Sequence, residues 1–253
     1  MSQSIKQKII ESLMDQKEIF GDDLFEKELF IQRRTEIKKN VVAEPQHNYD
    51  SSNENWNSAT NLNELNKIIC ECQKCPLGAT RNKFVFGSGD PNADVMCIGE
   101  GPGAEEDAQG LPFVGRAGKL LTDILKAINF SREEVYIANV VKCRPPGNRT
   151  PNPVEMDTCM PYLKKQIEII KPKAILCMGL TASQGILKKR DSLTNMRGKV
   201  FDFESGSRTT KVMVTYHPAA LLRNPNWKRG CWEDVQNFRK LYDGLIWSYS
   251  RMQ

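Results

Sequence analysis

Histidine is nearly absent from this chain, with two in 253 residues, His47 and His217. Imidazole chemistry therefore has few candidates. His47 lies in a polar stretch and is read as incidental. His217 follows a short apolar run and precedes Pro218, which puts it at a strand end. No apolar run is long enough to span a bilayer, so no membrane association is expected. The opening residues, MSQSIKQKIIESLMDQ, are polar and charged rather than signal-like. There is no internal repeat. What remains, 40% hydrophobic and 26% charged residues, describes a soluble globular protein in a reducing compartment.

Charge divides unevenly. Residues 1–60 hold eight basic and eleven acidic side chains, a net of −3, which leaves +8 of the whole-chain +5 to residues 61–253. A basic domain suits a polyanionic partner without proving one. Apolar positions from Ile5 to Phe30 recur at helical spacing, so residues 1–42 are expected as a helical N-terminal extension, broken near Gly21. Residues 43–60 are rich in Asn and Ser and are expected as a flexible linker. A single domain should occupy 61–253.

Within that domain, short apolar runs at 95–99, 135–141, 174–179 and 211–216 alternate with helix-period segments near 117–128, 153–170, 181–188 and 230–248. Alternation of this kind predicts a three-layer α/β/α fold with a central four-stranded parallel sheet. Continuous apolar strands fit a sheet covered on both faces. Ligands bind such sheets at the carboxyl ends of the strands. Those ends collect Gly99, Glu100 and Gly101, then Asn139, then Gly179, then His217.

Eight cysteines are present, and four of them carry the strongest signal: Cys72-x2-Cys75, Cys143 and Cys159. Four thiolates hold an iron–sulfur cluster or a zinc ion. A zinc ribbon usually repeats a tight pair, and here the second pair is separated by fifteen intervening residues, which favours the cluster. Cys97 and Cys177 sit inside strands and are read as core residues, and Cys70 and Cys231 as bystanders.

The run GEGPGA at 99–104 formally fits a dinucleotide fingerprint. It is rejected because Glu105, Glu106 and Asp107 follow, which would repel phosphate, and Gly110, Pro112 and Gly115 prevent a continuous helix. Phe113, in a loop between glycines and prolines, is either a core plug or a stacking face for a base. Leu221 and Leu222 beside Arg223 either pack on the core or wedge into a duplex. Basic groups around Lys142–Arg149, Lys188–Arg190, Arg197–Lys199 and Arg223–Arg229 make an electrostatic footprint suited to a nucleic-acid backbone.

The segments CQKCPLG, GEGPGAEEDAQGLPFVGRAG, YIANVVKCRPPGNRTPNPVEMDTC and HPAALLRNP, in that order, resemble the family 4 uracil-DNA glycosylases, which carry a 4Fe-4S cluster. The resemblance runs from about Asn61 to the end and does not cover residues 1–60. It implies a monofunctional glycosylase that flips uracil from DNA, hydrolyses its N-glycosidic bond and starts base-excision repair. It implies Cys72, Cys75, Cys143 and Cys159 as cluster ligands. Glu100 and Gly101, with Gly99, would floor the uracil pocket; Phe113 would stack on the base; Asn139 would read its Watson–Crick edge; His217 would contact O2. Leu221 and Arg223 would belong to the loop entering the helix. Glycine at 101 cannot hold water, which leaves backbone carbonyls, Glu100 or Glu106 for that task; Glu106 alternatively excludes the thymine methyl. The partner is then uracil-containing DNA, acted on by a cytoplasmic monomer (nucleoid-associated in a bacterium), with the extension's own partner unknown. An electron carrier and a non-catalytic DNA-binding module are the competing readings.

Overall fold

The computed structural model describes residues 55–206 and 208–250. The helices expected at 1–42 and most of the expected linker lie outside the described residues. Residues 55–60 belong to the packed domain. Trp56 stands edge-on to Tyr162 at 5.4 Å, and Ala59 is buried.

Six strands form one sheet: β1 (Ser88–Gly89), β2 (Val95–Gly99), β3 (Tyr136–Asn139), β4 (Ala174–Met178), β5 (Val200–Ser205) and β6 (Arg208–Thr215), in the order β1-β3-β2-β4-β6-β5. The central four, β3-β2-β4-β6, are parallel as expected. The edges are antiparallel additions that were not expected. Their absence from the reading has a physical cause. β1 is two residues long, and β5 is half exposed, so neither shows the continuous apolar run of a strand covered on both faces.

Alternate side chains of each central strand enter opposite layers. Met96 and Ile98 join Ile175 and Cys177 in one core, under α1 (Leu62–Ile69), α5 (Pro153–Ile170) and α6 (Leu180–Leu187). Val95 and Cys97 join Leu176 in the other, under α4 (Arg116–Ala127) and α9 (Lys228–Ser250). The expected core roles of Cys97 and Cys177 hold; each is fully buried. Four shorter α-helices complete the set among the described residues: α2 (Leu77–Thr80), α3 (Ala104–Gln109), α7 (Leu193–Met196), which leads into β5, and α8 (Pro218–Arg223).

Caps place the helix starts. Asn61 accepts the Glu64 amide at 2.9 Å, and Asn152 with Glu155 closes a capping box before Pro153. α3 corrects the reading of the GEGPGA run, because a helix does open directly after it. Its first turn carries Glu105, Glu106 and Asp107, so that end still repels phosphate. No helix among the described residues is long and apolar enough to cross a membrane.

Register sets up the site. Gly99 pairs with Asn139, and Met178 with Thr215. The residues that follow, Glu100, Gly179 and His217, therefore emerge at one edge, where the chain order switches direction about β2.

Candidate active site and cysteine cluster

That edge opens into a cavity of about 580 Å³ lined by Glu100, Phe113, Asn139, Thr181, His217 and Arg223, among others. Its floor depends on Gly99. A Cβ there would lie 2.5 Å from the Asn139 Oδ1 and 2.6 Å from the Phe113 ring. Only glycine lets amide and aromatic meet over the strand. Asn139 is 2% exposed, and its Oδ1 is, among the described residues, a buried oxygen with no hydrogen-bond partner. Such an atom costs roughly 1–3 kcal/mol unless a ligand supplies a donor. Phe113 is 5% exposed and holds φ at +52°, a left-handed conformation rare for an aromatic residue.

His217 is the N-cap of α8, and its Nδ1 accepts the Ala219 amide at 3.2 Å. An accepting Nδ1 is unprotonated, so the ring proton is assigned to Nε2. Burial pushes the His217 pKa down to about 4, assisted by Arg223 and opposed by Glu106. The ring is thus a neutral donor at physiological pH. Its centroid lies 5.4 Å from that of Phe113. Gly179, at φ +89°, lies against it, where a Cβ would come 3.1 Å from the His217 Cβ.

The low pKa carries a stability consequence. Between pH 6.5 and about 4 the unfolded chain takes up a proton that the folded ring refuses. Stability from this group is complete above 6.5 and declines as pH falls toward 4, by about 3 kcal/mol at most. Denaturant unfolding at pH 7 and pH 4.5 should show this decline in the native chain and a shallower one in His217→Asn. Equal slopes would refute a buried neutral imidazole.

The two glutamates differ. Glu100 accepts the Thr181 hydroxyl through Oε2. Glu106 is saturated by backbone: Oε2 accepts Gly103 N–H at 3.1 Å, and Oε1 accepts Val114 and Gly115 N–H at 3.0 and 3.3 Å. It ties the loop after β2 to the loop carrying Phe113. Removing it in Glu106→Ala should cost about 2–3 kcal/mol of stability, since three donors lose a charged acceptor. A wild-type unfolding midpoint would end that assignment.

Two basic-loop expectations change in the folded chain. Lys142, expected on the nucleic-acid face, is fully buried; its ammonium donates to the Asn139 carbonyl at 2.9 Å and to Gln166 at 2.6 Å. It cannot reach a backbone phosphate. Leu221 is 1% exposed and packs in the α4–α9 core, whereas Leu222 is 36% exposed and Arg223 is also at the surface.

Cys72, Cys75, Cys143 and Cys159 come together from three segments. Each of the last three feels the charge of others in the set. Polar groups surround the sulfurs: Arg81 donates to Cys143 at 3.3 Å, the Leu77 and Gly78 amides donate to Cys75, and the Tyr162 hydroxyl lies 3.4 Å from Cys72. Burial drives the Cys143 and Cys159 thiols up to about 11 and 12. Thiolates there require nearby positive charge, which Arg81 and Lys142 begin to supply. Among the described residues no three such side chains close on a single-ion site. Arg81, Tyr162 and Thr181 went unnoticed in the sequence. Of these, Thr181 alone had a signal, two residues past the Gly179 strand end.

A family model described as the uracil DNA glycosylase superfamily matches residues 86–236. The chain belongs to that superfamily. Superfamily relatives named type-4 uracil-DNA glycosylases include those of Thermotoga maritima, 48% identical over 64% of this chain and 85% of the relative, and Archaeoglobus fulgidus, 42% identical over 71% and 91%. That of Sulfurisphaera tokodaii is 43% identical over 71% of this chain and 84% of its own length. Relatives in the superfamily named type-5 are more distant, at 31% identity for Pyrobaculum aerophilum.

Proposed function

We propose that this chain is a monofunctional uracil-DNA glycosylase that extrudes uracil from DNA and hydrolyses its N-glycosidic bond, leaving an abasic site. The observation that carries the reading is the unpartnered Asn139 Oδ1 in one cavity with the Phe113 ring and a neutral His217 donor. Uracil presents an N3–H donor between two carbonyl acceptors. Asn139 accepts from N3–H and donates to O4. A fixed amide orientation disfavours cytosine, whose pattern there is reversed.

Phe113 offers its face to the extruded base, whose removal from the stack costs a few kcal/mol. Bond cleavage then leaves a cationic sugar and an anionic base. His217 Nε2–H, held by the Ala219 bond, points a fixed donor at the charge growing on O2. Glu100, with Oε2 engaged by Thr181, keeps a second oxygen for the attacking water. Glu106 acts by positioning Phe113 and the 103 amide rather than by touching the sugar. Exposed Leu222 enters the duplex in place of the buried Leu221, and Arg223, in the pocket wall beside it, holds phosphate.

Cys72, Cys75, Cys143 and Cys159 hold a 4Fe-4S cluster; the support is four thiols brought from three segments close enough to feel one another's charge. Bound there, the cluster supplies iron–thiolate bonds that clamp the chain and no electron transfer to the base.

The test uses anaerobically purified full chain and an end-labelled oligonucleotide with one uracil, followed by alkali. A strand break that needs both uracil and alkali is expected. No break with DNA still bound would leave a binding module.

A further inference from the structure

From Ser205 to Trp232 the chain holds no acidic residue and five basic ones, Arg208, Lys211, Arg223, Lys228 and Arg229. Within that stretch Leu222, Arg223, Pro225, Asn226, Trp227, Lys228 and Arg229 are exposed, and the run begins at the pocket, where Arg223 lines the wall. Trp227 stands in its middle, 42% exposed. This indole, open in a cationic strip that begins at the cavity, puts an aromatic face among side chains able to hold phosphate.

The ring is held in place. Tyr216 stacks on it at 5.0 Å with planes 20° apart, and the Arg197 guanidinium lies 5.0 Å from the same tyrosine ring. Arg197 is itself fixed by Asp234 at 2.9 Å and by the Gly230 carbonyl at 2.6 Å. Tyr216 immediately precedes His217, so the stack and the donor share one short stretch of backbone. A preset aromatic face between cationic side chains is how proteins hold unpaired bases without reading their identity.

We propose that Trp227 stacks on a nucleobase adjacent to the extruded nucleotide, making the Pro225–Arg229 strip a second contact outside the pocket. This rests on the reading of the chain as a DNA-binding glycosylase. Its partner is an unpaired or opened base; Arg223 and Lys228 take the flanking phosphates. Charge favours this partner over an apolar protein surface, because the residues next to the indole are basic and polar. Continuity with the cavity favours the same strand.

The test is binding of the full chain to two labelled single strands carrying a tetrahydrofuran abasic nucleotide in place of uracil. One keeps both neighbouring bases; in the other they are abasic too. On the first, Trp227→Ala should weaken binding roughly 5- to 150-fold, the range for loss of one base–aromatic stack, and Trp227→Phe by clearly less. On the second, native chain and Trp227→Ala should bind alike. Equal binding of Trp227→Ala and native chain on the first strand overturns the proposal. So does a loss that persists undiminished on the second, which would mean contact with the backbone. Unfolding midpoints confirm that the variants fold, and Trp227→Phe supplies a reading if alanine does not. Uracil excision by the native chain on the same sequence is scored separately. Failure there with the base-dependent loss intact rejects the glycosylase reading alone, and excision without that loss rejects the platform alone.

Discussion

Replacing His217 with alanine is expected to slow single-turnover excision of uracil by about 10²- to 10³-fold, the usual cost of removing one donor aimed at developing negative charge. Two features of the ring make the loss specific to chemistry. Its Nδ1 is occupied by the Ala219 amide, so Nε2–H is the proton free to face the base. Its pKa near 4 keeps it uncharged throughout the neutral range, so the donor neither appears nor vanishes between pH 5.5 and 8. Alanine also strips the N-cap from α8, at about 0.5–2 kcal/mol of stability. His217→Asn separates the two effects. Asparagine is a good cap and should restore the unfolding midpoint, yet its shorter amide does not reach where Nε2 stood. Excision by His217→Asn should therefore stay slow while stability recovers. A His217→Ala rate within about threefold of native would remove His217 from the chemistry, and recovery of the rate by asparagine would mean that the cap, not the donor, matters.

The parallel core of the fold was legible because burial on both faces writes itself as an unbroken apolar run, as in Val95–Gly99 and Ala174–Met178. Strand ends then located Glu100, Asn139 and His217 without help from side-chain detail, and the cavity does gather them. What failed to show in the sequence depends on phase and on long-range partners. Leu221 and Leu222 are chemically alike and lie about 100° apart on a helix. Only the start of α8 at His217 turns the first inward and the second out. Lys142 looks like any loop lysine beside Arg144. Its burial comes from acceptors on the Asn139 carbonyl and on Gln166, twenty-four residues away in α5. Glu106 was legible as a pocket residue, but its bonds to Val114 and Gly115 depend on how a later loop folds back.

Removing one cysteine ligand should have the largest effect on stability. Cys159→Ser is expected to lower the thermal midpoint by roughly 10 °C or more, about 4 kcal/mol for a domain of this size. Cys159 sits in α5, Cys143 follows β3, and Cys72 and Cys75 lie between α1 and α2, so a cluster on these four would clamp three otherwise separate segments. Metal bound only by the folded chain contributes its binding free energy to folding, a large share of a total near 5–15 kcal/mol. Loss of the metal also strands positive charge: Lys142 is fully buried, and the thiolates it would balance are gone. The same lysine holds the Asn139 carbonyl, so a shift of the Cys143 loop should reach the base-reading amide and slow excision as well. Two controls make the effect specific. Cys177→Ser alters an equally buried sulfur in β4 and should cost only about 1–3 kcal/mol with full metal content. Cys70→Ser, on a partly exposed residue two positions before Cys72, should change neither. The deciding measurement is iron per chain on anaerobically prepared protein, expected near four with broad visible absorption in the native chain and in both controls. A Cys159→Ser protein with undiminished iron and midpoint would show that these four thiols do not form the clamp. Stoichiometric zinc in the native chain would replace the cluster with a single ion.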